Sequence, residues 1–132
     1  MEQDPFWHVE SIPDNDFLFR RVHKHHVKKN GDIAISIVFE KDKESISTDW
    51  SNYSTPQETK DRVKCFPIPK DPQNYGVINM KVLKVRNIEG QSVEHSPLNE
   101  NRAHTDIKGK KSVKEIVQFS RIYDWSIHLT KL

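Results

Sequence analysis

The chain has 132 residues, of which 34% are hydrophobic and 30% are charged, so it is long enough for one domain with a compact core. Six Phe, three Trp and three Tyr argue against disorder, because aromatic side chains contribute most to burial. The net charge of +2, from 21 basic and 19 acidic side chains, excludes a polybasic footprint but permits a nucleic-acid partner.

The single cysteine, Cys65, rules out an intramolecular disulfide and a cysteine-rich zinc site. A lone thiol suits a reducing compartment. The acidic N-terminus lacks the basic and apolar pattern of a signal peptide, and no apolar run approaches the roughly 18 residues of a membrane span. We therefore expect a cytoplasmic protein with no membrane partner.

The first half of the chain is predicted to supply three strands. Residues 17–22 alternate an aromatic face with a second face that carries Arg20. Residues 33–39 are β-branched and nearly continuous, which is typical of a buried central strand. Residues 46–50 form a shorter extended segment. Before them, residues 1–16 include an apolar stretch and are predicted to dock on the domain as an N-terminal segment.

Two helices are predicted from their start signals. Thr55 is an N-cap, Pro56 occupies N1 and Glu58 completes a capping box, so a short polar helix is expected through about residue 64. Ser112 and Glu115 form a second capping box. Apolar residues at helical spacing continue that second helix through about residue 125.

The segments between these helices are predicted to be mainly extended. Residues 66–72 contain three prolines and cannot be regular structure. Residues 76–86 resemble a half-buried strand, with a short helix as the alternative, and residues 92–95 resemble another strand. One α+β domain spanning residues 1–132 is therefore predicted: a mainly antiparallel sheet of four to six short strands with two helices.

Polar side chains crowd into residues 93–107, on a loop between regular elements, where binding sites often occur. His95 and His104 could act as general base and general acid, because imidazole titrates near neutral pH. Arg102 could hold a phosphate or carboxylate, and the Asn101 amide could orient a ligand. The alternative is that both histidines cross-link the loop through hydrogen bonds to backbone carbonyls.

A second group of candidates lies near the first strand. Arg20 beside a core face normally has a carboxylate partner such as Asp49 or Glu58, although a bound anion is the alternative. The basic run at residues 23–29 includes His26, which could attract phosphate. A metal site there would need three or four converging ligands, so a solvated basic turn is favoured over it.

Two well-known catalytic patterns do not fit the chain. Gly109-Lys110-Lys111-Ser112 suggests a phosphate-binding loop, but His104 stands where the first glycine is needed and an extra lysine interrupts the motif. No Gly-x-Ser-x-Gly elbow is present, so the sequence does not support serine-hydrolase chemistry.

Three segments carry a resemblance that covers roughly residues 17–117. They are Leu18-Phe19-Arg20-Arg21-Val22-His23 with His26-Val27 and Phe39, then Ser47-Thr48-Asp49-Trp50 with Tyr53-Ser54-Thr55-Pro56-Gln57-Glu58-Thr59, and His95-Ser96-Pro97-Leu98 through Asn101-Arg102-Ala103-His104. Together they resemble a group of short uncharacterised bacterial proteins. The resemblance implies no activity, and it emphasises the same polar residues.

The candidate residues predict a domain that binds or acts on a phosphate-containing ligand, either a nucleotide or RNA or DNA. Metal-free phosphodiester cleavage needs a base, an acid and a cation. The predicted catalytic residues are His95, His104 and Asp49, and the predicted ligand-binding residues are Arg20, His26, Asn101 and Arg102. No metal and no cofactor are predicted. The alternative is a non-catalytic protein-interaction module or an accessory or immunity-type protein, so enzymatic activity stays open.

Overall fold

A six-stranded antiparallel sheet is the centre of the fold in the computed structural model, which describes residues 7–129. The strands are β1 (Phe17–His23), β2 (Ser45–Trp50), β3 (Tyr75–Lys81), β4 (Ser92–His95), β5 (His104–Lys108) and β6 (Tyr123–Ile127), and their order in the sheet is β4-β5-β2-β1-β3-β6. The α-helices are α1 (Ile35–Val38), α2 (Pro56–Asp61), α3 (Val82–Arg86) and α4 (Val113–Phe119). The predicted α+β class is confirmed.

Both predicted helix starts are confirmed by their capping hydrogen bonds. Thr55 Oγ1 accepts from the Glu58 backbone N–H at 3.1 Å, and Glu58 Oε1 accepts from the Thr55 backbone N–H at 2.9 Å. At the start of α4 the Glu115 carboxylate accepts from the Ser112 backbone N–H at 3.0 Å, and the pair is a second capping box. The second helix ends earlier than predicted, at Phe119, because the chain then turns to pair with β3 as strand β6.

The strand prediction for residues 33–39 is wrong. The segment forms the single helical turn α1, in which the Phe39 backbone N–H donates to the Ile35 carbonyl at 3.0 Å. Val38 and Phe39 are buried by this turn, and the Phe39 ring stacks on Phe119 of α4 at 4.6 Å between centroids. Packing of these side chains therefore overrides the β propensity of the branched residues. In residues 76–86 both alternatives occur in succession, as β3 and then α3.

Each face of the sheet is covered by different helices. One face carries most of the apolar core, which is completed by side chains of α1, α3 and α4; its strand members include Leu18, Val22, Ile46, Trp50, Ile78, Met80, Val93 and Ile107. The opposite face lies against α2, whose Thr59 is buried beside Asp49. Consecutive residues of a strand point to opposite faces, so Arg20 and Arg21 serve different sides of the sheet.

The sheet opens between its two central strands. β1 pairs with β3 along its whole length, from Phe17↔Lys81 to His23↔Tyr75. Its pairing with β2 comprises only Leu18↔Trp50 and Phe19↔Asp49. Beyond these two pairs, β1 and β2 separate, and the Arg20 side chain bridges them by donating to the Ser47 carbonyl. Residues of both strands line a cavity at this opening.

The described part of the N-terminal segment, residues 7–16, lies against the domain. The Arg102 guanidinium lies 4.8 Å from the centroid of the Trp7 ring, and Ile12 is buried in the core. The Glu10 backbone N–H donates to His95 Nδ1 at 2.9 Å. None of the helices in residues 7–129 has the length and apolar character needed to cross a membrane.

Candidate functional site

A cavity of about 910 Å³ lies between β1, β2, the 3-10 turn Arg62–Cys65 and the loop at residues 98–101. Five of the seven predicted site residues line it: Arg20, His26, Asp49, Asn101 and His104. The other two, His95 and Arg102, are not among its lining residues. Further lining residues that matter for the chemistry are Arg21, His23, Glu40, Ser47, Arg62, Phe66, Tyr75 and Glu100.

Asp49 is the buried acceptor at the cavity wall, with only 5% of its side chain exposed. Its Oδ2 accepts from Thr59 Oγ1 at 2.8 Å and from Arg62 Nη1 at 2.6 Å. Its Oδ1 accepts from Asn101 Nδ2 at 2.9 Å, and Arg21 Nη1 lies 3.9 Å from Oδ2. Both oxygens are therefore occupied by donors. Asp49 therefore holds the two arginine side chains and, through Asn101, the loop at residues 98–101. This geometry does not support its predicted catalytic role.

Arg21 and Arg62 share the single carboxylate of Asp49. Arg21 Nη1 also donates to the Thr59 carbonyl at 2.9 Å, and Arg62 Nη1 donates to Ser54 Oγ at 3.2 Å. Burial lowers the pKa of Arg21, and the charge of Asp49 opposes that shift. Among the described residues, the hydrogen bonds of both arginines use Nη1. Their Nη2 groups make no hydrogen bond within residues 7–129, and two guanidinium charges face one carboxylate.

Arg20 holds three segments of the chain together. Its Nε donates to the Val38 carbonyl at 2.8 Å, its Nη1 to the Ser47 carbonyl at 2.6 Å, and its Nη2 to Glu40 Oε2 at 2.8 Å. Burial lowers the pKa of Arg20, and Glu40 opposes that shift. The partners expected from the sequence were wrong, because Asp49 lies on the other face of the sheet and Glu40 is the pairing carboxylate.

His104 has its two ring nitrogens in different surroundings. Nδ1 lies 2.9 Å from the Ser96 carbonyl oxygen and 3.0 Å from Ser96 Oγ, and Nε2 lies 3.2 Å from Ser47 Oγ. The carbonyl can only accept a hydrogen bond, so it favours the tautomer with the proton on Nδ1, while the Ser96 hydroxyl fits either tautomer. Nε2 then carries a lone pair beside the Ser47 hydroxyl. His104 thus keeps the position and tautomer of a candidate proton acceptor on the cavity wall.

His95 does not join His104 in the cavity, which corrects the predicted pair. It is buried, its Nδ1 accepts from the Glu10 backbone N–H, and its Nε2 lies 2.7 Å from the Arg102 carbonyl oxygen. Both ring nitrogens are therefore occupied, and the centroid of the His95 ring lies 5.1 Å from that of the Trp50 ring. The alternative prediction, a histidine that cross-links its loop through backbone groups, describes His95 correctly.

Arg102 likewise belongs to an aromatic cluster outside the cavity. Its guanidinium lies 3.9 Å from the centroid of the Tyr53 ring and 4.8 Å from that of Trp7. Its Nη2 is 3.5 Å from Glu10 Oε2. These cation–π and ionic contacts fix the N-terminal segment, so the position of Arg102 does not support its predicted role as a ligand-binding residue of the cavity.

The histidine run forms a short 3-10 turn, Lys24–His26, after β1. The His23 and His25 rings are 4.6 Å apart, and His26 lies on the cavity wall. Burial, followed by the nearby charges of His25 and His26, holds the pKa of His23 below its usual range. Within residues 7–129, no group of three or more His, Cys, Asp or Glu side chains converges as a metal site.

Sequence reasoning missed Arg21, Arg62, Phe66 and Tyr75 as cavity residues. The alternation of β1 correctly put Arg21 on the aromatic face, but only the pairing Phe19↔Asp49 shows that this face also carries the carboxylate. Arg62 follows a polar helix, where a surface position is the usual outcome, so nothing in its local sequence marked it.

Comparisons of the chain with protein-family models, curated proteins and solved structures found no match. The features of the cavity that bear on function are its volume, its paired arginines, its aromatic walls and the orientation of His104.

Proposed function

We propose that the cavity binds a phosphate-containing ligand of nucleotide size, with the phosphate at Arg21 and Arg62. The observation that carries the proposal is that these two guanidinium groups share one buried carboxylate, Asp49. The two guanidinium groups and the one carboxylate leave one positive charge in excess at this wall of the cavity, and the Nη2 groups of both arginines make no hydrogen bond within residues 7–129. Guanidinium groups bind phosphate oxygens strongly because their planar donors match the geometry of the anion.

Aromatic side chains beside the arginines suit a nucleobase. The Arg21 guanidinium lies 5.1 Å from the centroid of the Phe66 ring, and Tyr75 packs edge-on against His23 at 5.1 Å. Bases stack favourably on such rings whatever their sequence. The cavity volume of about 910 Å³ also falls in the range of ordinary small-molecule sites.

The charge balance of the cavity favours a mononucleotide over a long nucleic acid. Three arginines line it, but so do three carboxylates, of Glu40, Asp49 and Glu100. A polymer normally needs a continuous basic track to neutralise successive phosphates. The positive charge here is concentrated at the two arginines that share Asp49, which fits a single phosphate group. A cytoplasmic location belongs to the same proposal, since the free thiol of Cys65 is exposed.

Arg62→Gln is expected to weaken binding of adenosine monophosphate about tenfold or more, because a charge-assisted hydrogen bond contributes about 1.5–3 kcal/mol. Isothermal titration of the wild-type chain and the variant measures the change. Titrations with adenosine and with inorganic phosphate separate the contribution of the base from that of the phosphate. Arg121→Gln is the matched control, because Arg121 is exposed and lies outside the cavity.

Thermal unfolding of the Arg62→Gln chain shows whether it is folded under the titration conditions, and Arg62→Lys retains the charge without the planar fork. The proposal predicts intermediate affinity for the lysine variant and wild-type affinity for Arg121→Gln. Equal affinity of the wild-type chain for adenosine and adenosine monophosphate would contradict it, as would binding that Arg62→Gln leaves unchanged.

A second candidate function, protein interaction, is favoured by exposed apolar side chains near the cavity mouth. Ile37 is 56% exposed and Leu98 is 42% exposed, and both line the cavity. Ile68, in the neighbouring proline-rich segment, is 77% exposed. A stoichiometric protein partner that is lost in Leu98→Ser and retained in Arg62→Gln would favour this second function over ligand binding.

A further inference from the structure

Ser47 and His104 form a hydroxyl–imidazole pair on the wall of the cavity. Ser47 is exposed on β2, and its Oγ lies 3.2 Å from His104 Nε2. The other nitrogen, Nδ1, is 2.9 Å from the Ser96 carbonyl oxygen and 3.0 Å from Ser96 Oγ; the carbonyl favours a proton on Nδ1, which leaves Nε2 as the acceptor. A nucleophile in contact with a base, and a base oriented by a third group, is the arrangement used in covalent catalysis.

We propose that Ser47 is a nucleophile, activated by His104 as general base, and that it attacks the phosphorus of a phosphate ester held in the cavity. The inference rests on the proposed function, because the phosphate site at Arg21 and Arg62 supplies the electrophile. It goes beyond that function by assigning a covalent step to one hydroxyl. Both Ser47 and His104 line the same cavity as the two arginines.

Cationic groups on the same cavity favour attack at phosphorus. Arg20 lines the cavity, and its Nη1 donates to the Ser47 backbone carbonyl at 2.6 Å, which fixes the strand that carries the proposed nucleophile. Arg21 and Arg62 supply two more guanidinium groups on the wall that includes Asp49. Donors and positive charge that are already in place stabilise the negative charge that develops on the transferring phosphoryl oxygens.

The step balances without any further reactant except water. Ser47 Oγ forms a bond to phosphorus while the bond to the leaving oxygen breaks, and the hydroxyl proton passes to His104 Nε2. His104 then returns this proton to the leaving oxygen. Water next attacks the phosphoserine, with His104 again as the base, which releases phosphate and regenerates the serine.

A fluorophosphonate reagent tests the pair directly, because an activated serine displaces its fluoride and keeps the phosphonyl group. Intact mass and peptide mapping of the wild-type chain should show one added group, on Ser47. Labelling should be lost in Ser47→Ala and should fall about tenfold or more in His104→Asn, since base catalysis contributes about 10²–10⁴-fold. The asparagine amide retains a donor for the Ser96 carbonyl, so this variant removes the base and keeps that donor.

Ser45→Ala is the matched control, because Ser45 is another exposed serine on the same face of β2 and is not among the cavity residues. Its labelling should equal that of the wild-type chain. Absence of label on wild-type Ser47, or labelling that Ser47→Ala leaves unchanged, overturns the proposed nucleophile. If Arg62-dependent binding of adenosine monophosphate persists while labelling fails, only the catalytic inference falls; if binding also fails, the phosphate site falls with it.

Discussion

Asp49→Asn is expected to lower the free energy of unfolding by about 3 kcal/mol or more, since loss of one partner leaves a buried charge uncompensated. Asparagine keeps the shape of the side chain but removes the negative charge that Arg21 and Arg62 share. Part of the Thr59 and Asn101 hydrogen bonding is also lost. Urea denaturation of the two chains measures the difference.

Phosphate should partly restore this variant, and that response connects the stability of the site with its proposed function. An anion between the two arginines would replace the missing carboxylate, so the melting temperature of Asp49→Asn should rise with phosphate more than that of the wild-type chain. Asp124→Asn, at an exposed position on β6, should match the wild-type chain in both measurements. A loss of stability below about 1 kcal/mol, or an equal response to phosphate, would show that Asp49 does not hold the arginine pair.

Lys111→Met is expected to cost about 3 kcal/mol, because buried carbonyl groups left without a donor cost about 1–3 kcal/mol each. The Lys111 side chain is fully buried, and its ammonium group contacts four backbone carbonyl oxygens. The contacts are to Gly109 at 2.8 Å, Ile107 at 3.1 Å, Glu44 at 3.3 Å and Lys43 at 3.4 Å. Methionine keeps the apolar stem and loses every donor, so the turns before β2 and α4 lose a common anchor.

The pH dependence of this effect has a defined sign. Burial lowers the pKa of Lys111, so the unfolded chain holds this proton to higher pH than the folded chain does. Stability rises with pH wherever the unfolded state binds more protons. The stability difference between the wild-type chain and Lys111→Met should therefore grow as pH rises from the folded pKa toward the usual lysine value, and it should be smallest at lower pH. Chemical denaturation across this range measures it.

Lys110→Met controls for charge, because Lys110 is the exposed neighbour of Lys111. It should show neither the loss of stability nor the alkaline trend. A Lys111→Met chain as stable as Lys110→Met would mean that the four carbonyls find other donors and that the ammonium group is dispensable.

Local sequence signals predicted the elements whose causes are local. The capping boxes at Thr55 and Ser112 are complete within four residues, so both helix starts could be read from the chain. The period-two pattern likewise located β1, which has Leu18 and Val22 on its core face. These elements could be predicted without knowing which segments pack against them.

Tertiary contacts decided the elements that the sequence misassigned. Residues 33–39 are rich in β-branched residues, yet they form a helical turn that buries Val38 and packs Phe39 against Phe119. The end of α4 is a similar case, because Tyr123 pairs with Met80 across the sheet edge. Neither partner can be identified from the segment alone.

The candidate site was predicted in part, for the same reason. Crowded polar residues drew attention to His104 and Asn101, and both line the cavity. His95 belongs to the same crowded stretch, yet strand alternation places it on the core face of β4, where backbone groups occupy both ring nitrogens. No sequence motif marks the Ser47 hydroxyl, because the histidine that it contacts lies 57 positions away.

A proton–nitrogen NMR titration that follows the arginine side chains as adenosine monophosphate is added tests the phosphate site directly. Binding in the cavity predicts saturable shifts of the Arg21 and Arg62 Nε–H resonances and small changes at the exposed Arg121. Shifts confined to Arg121 or other surface arginines, or no shift at millimolar nucleotide, would contradict a phosphate site at Arg21 and Arg62.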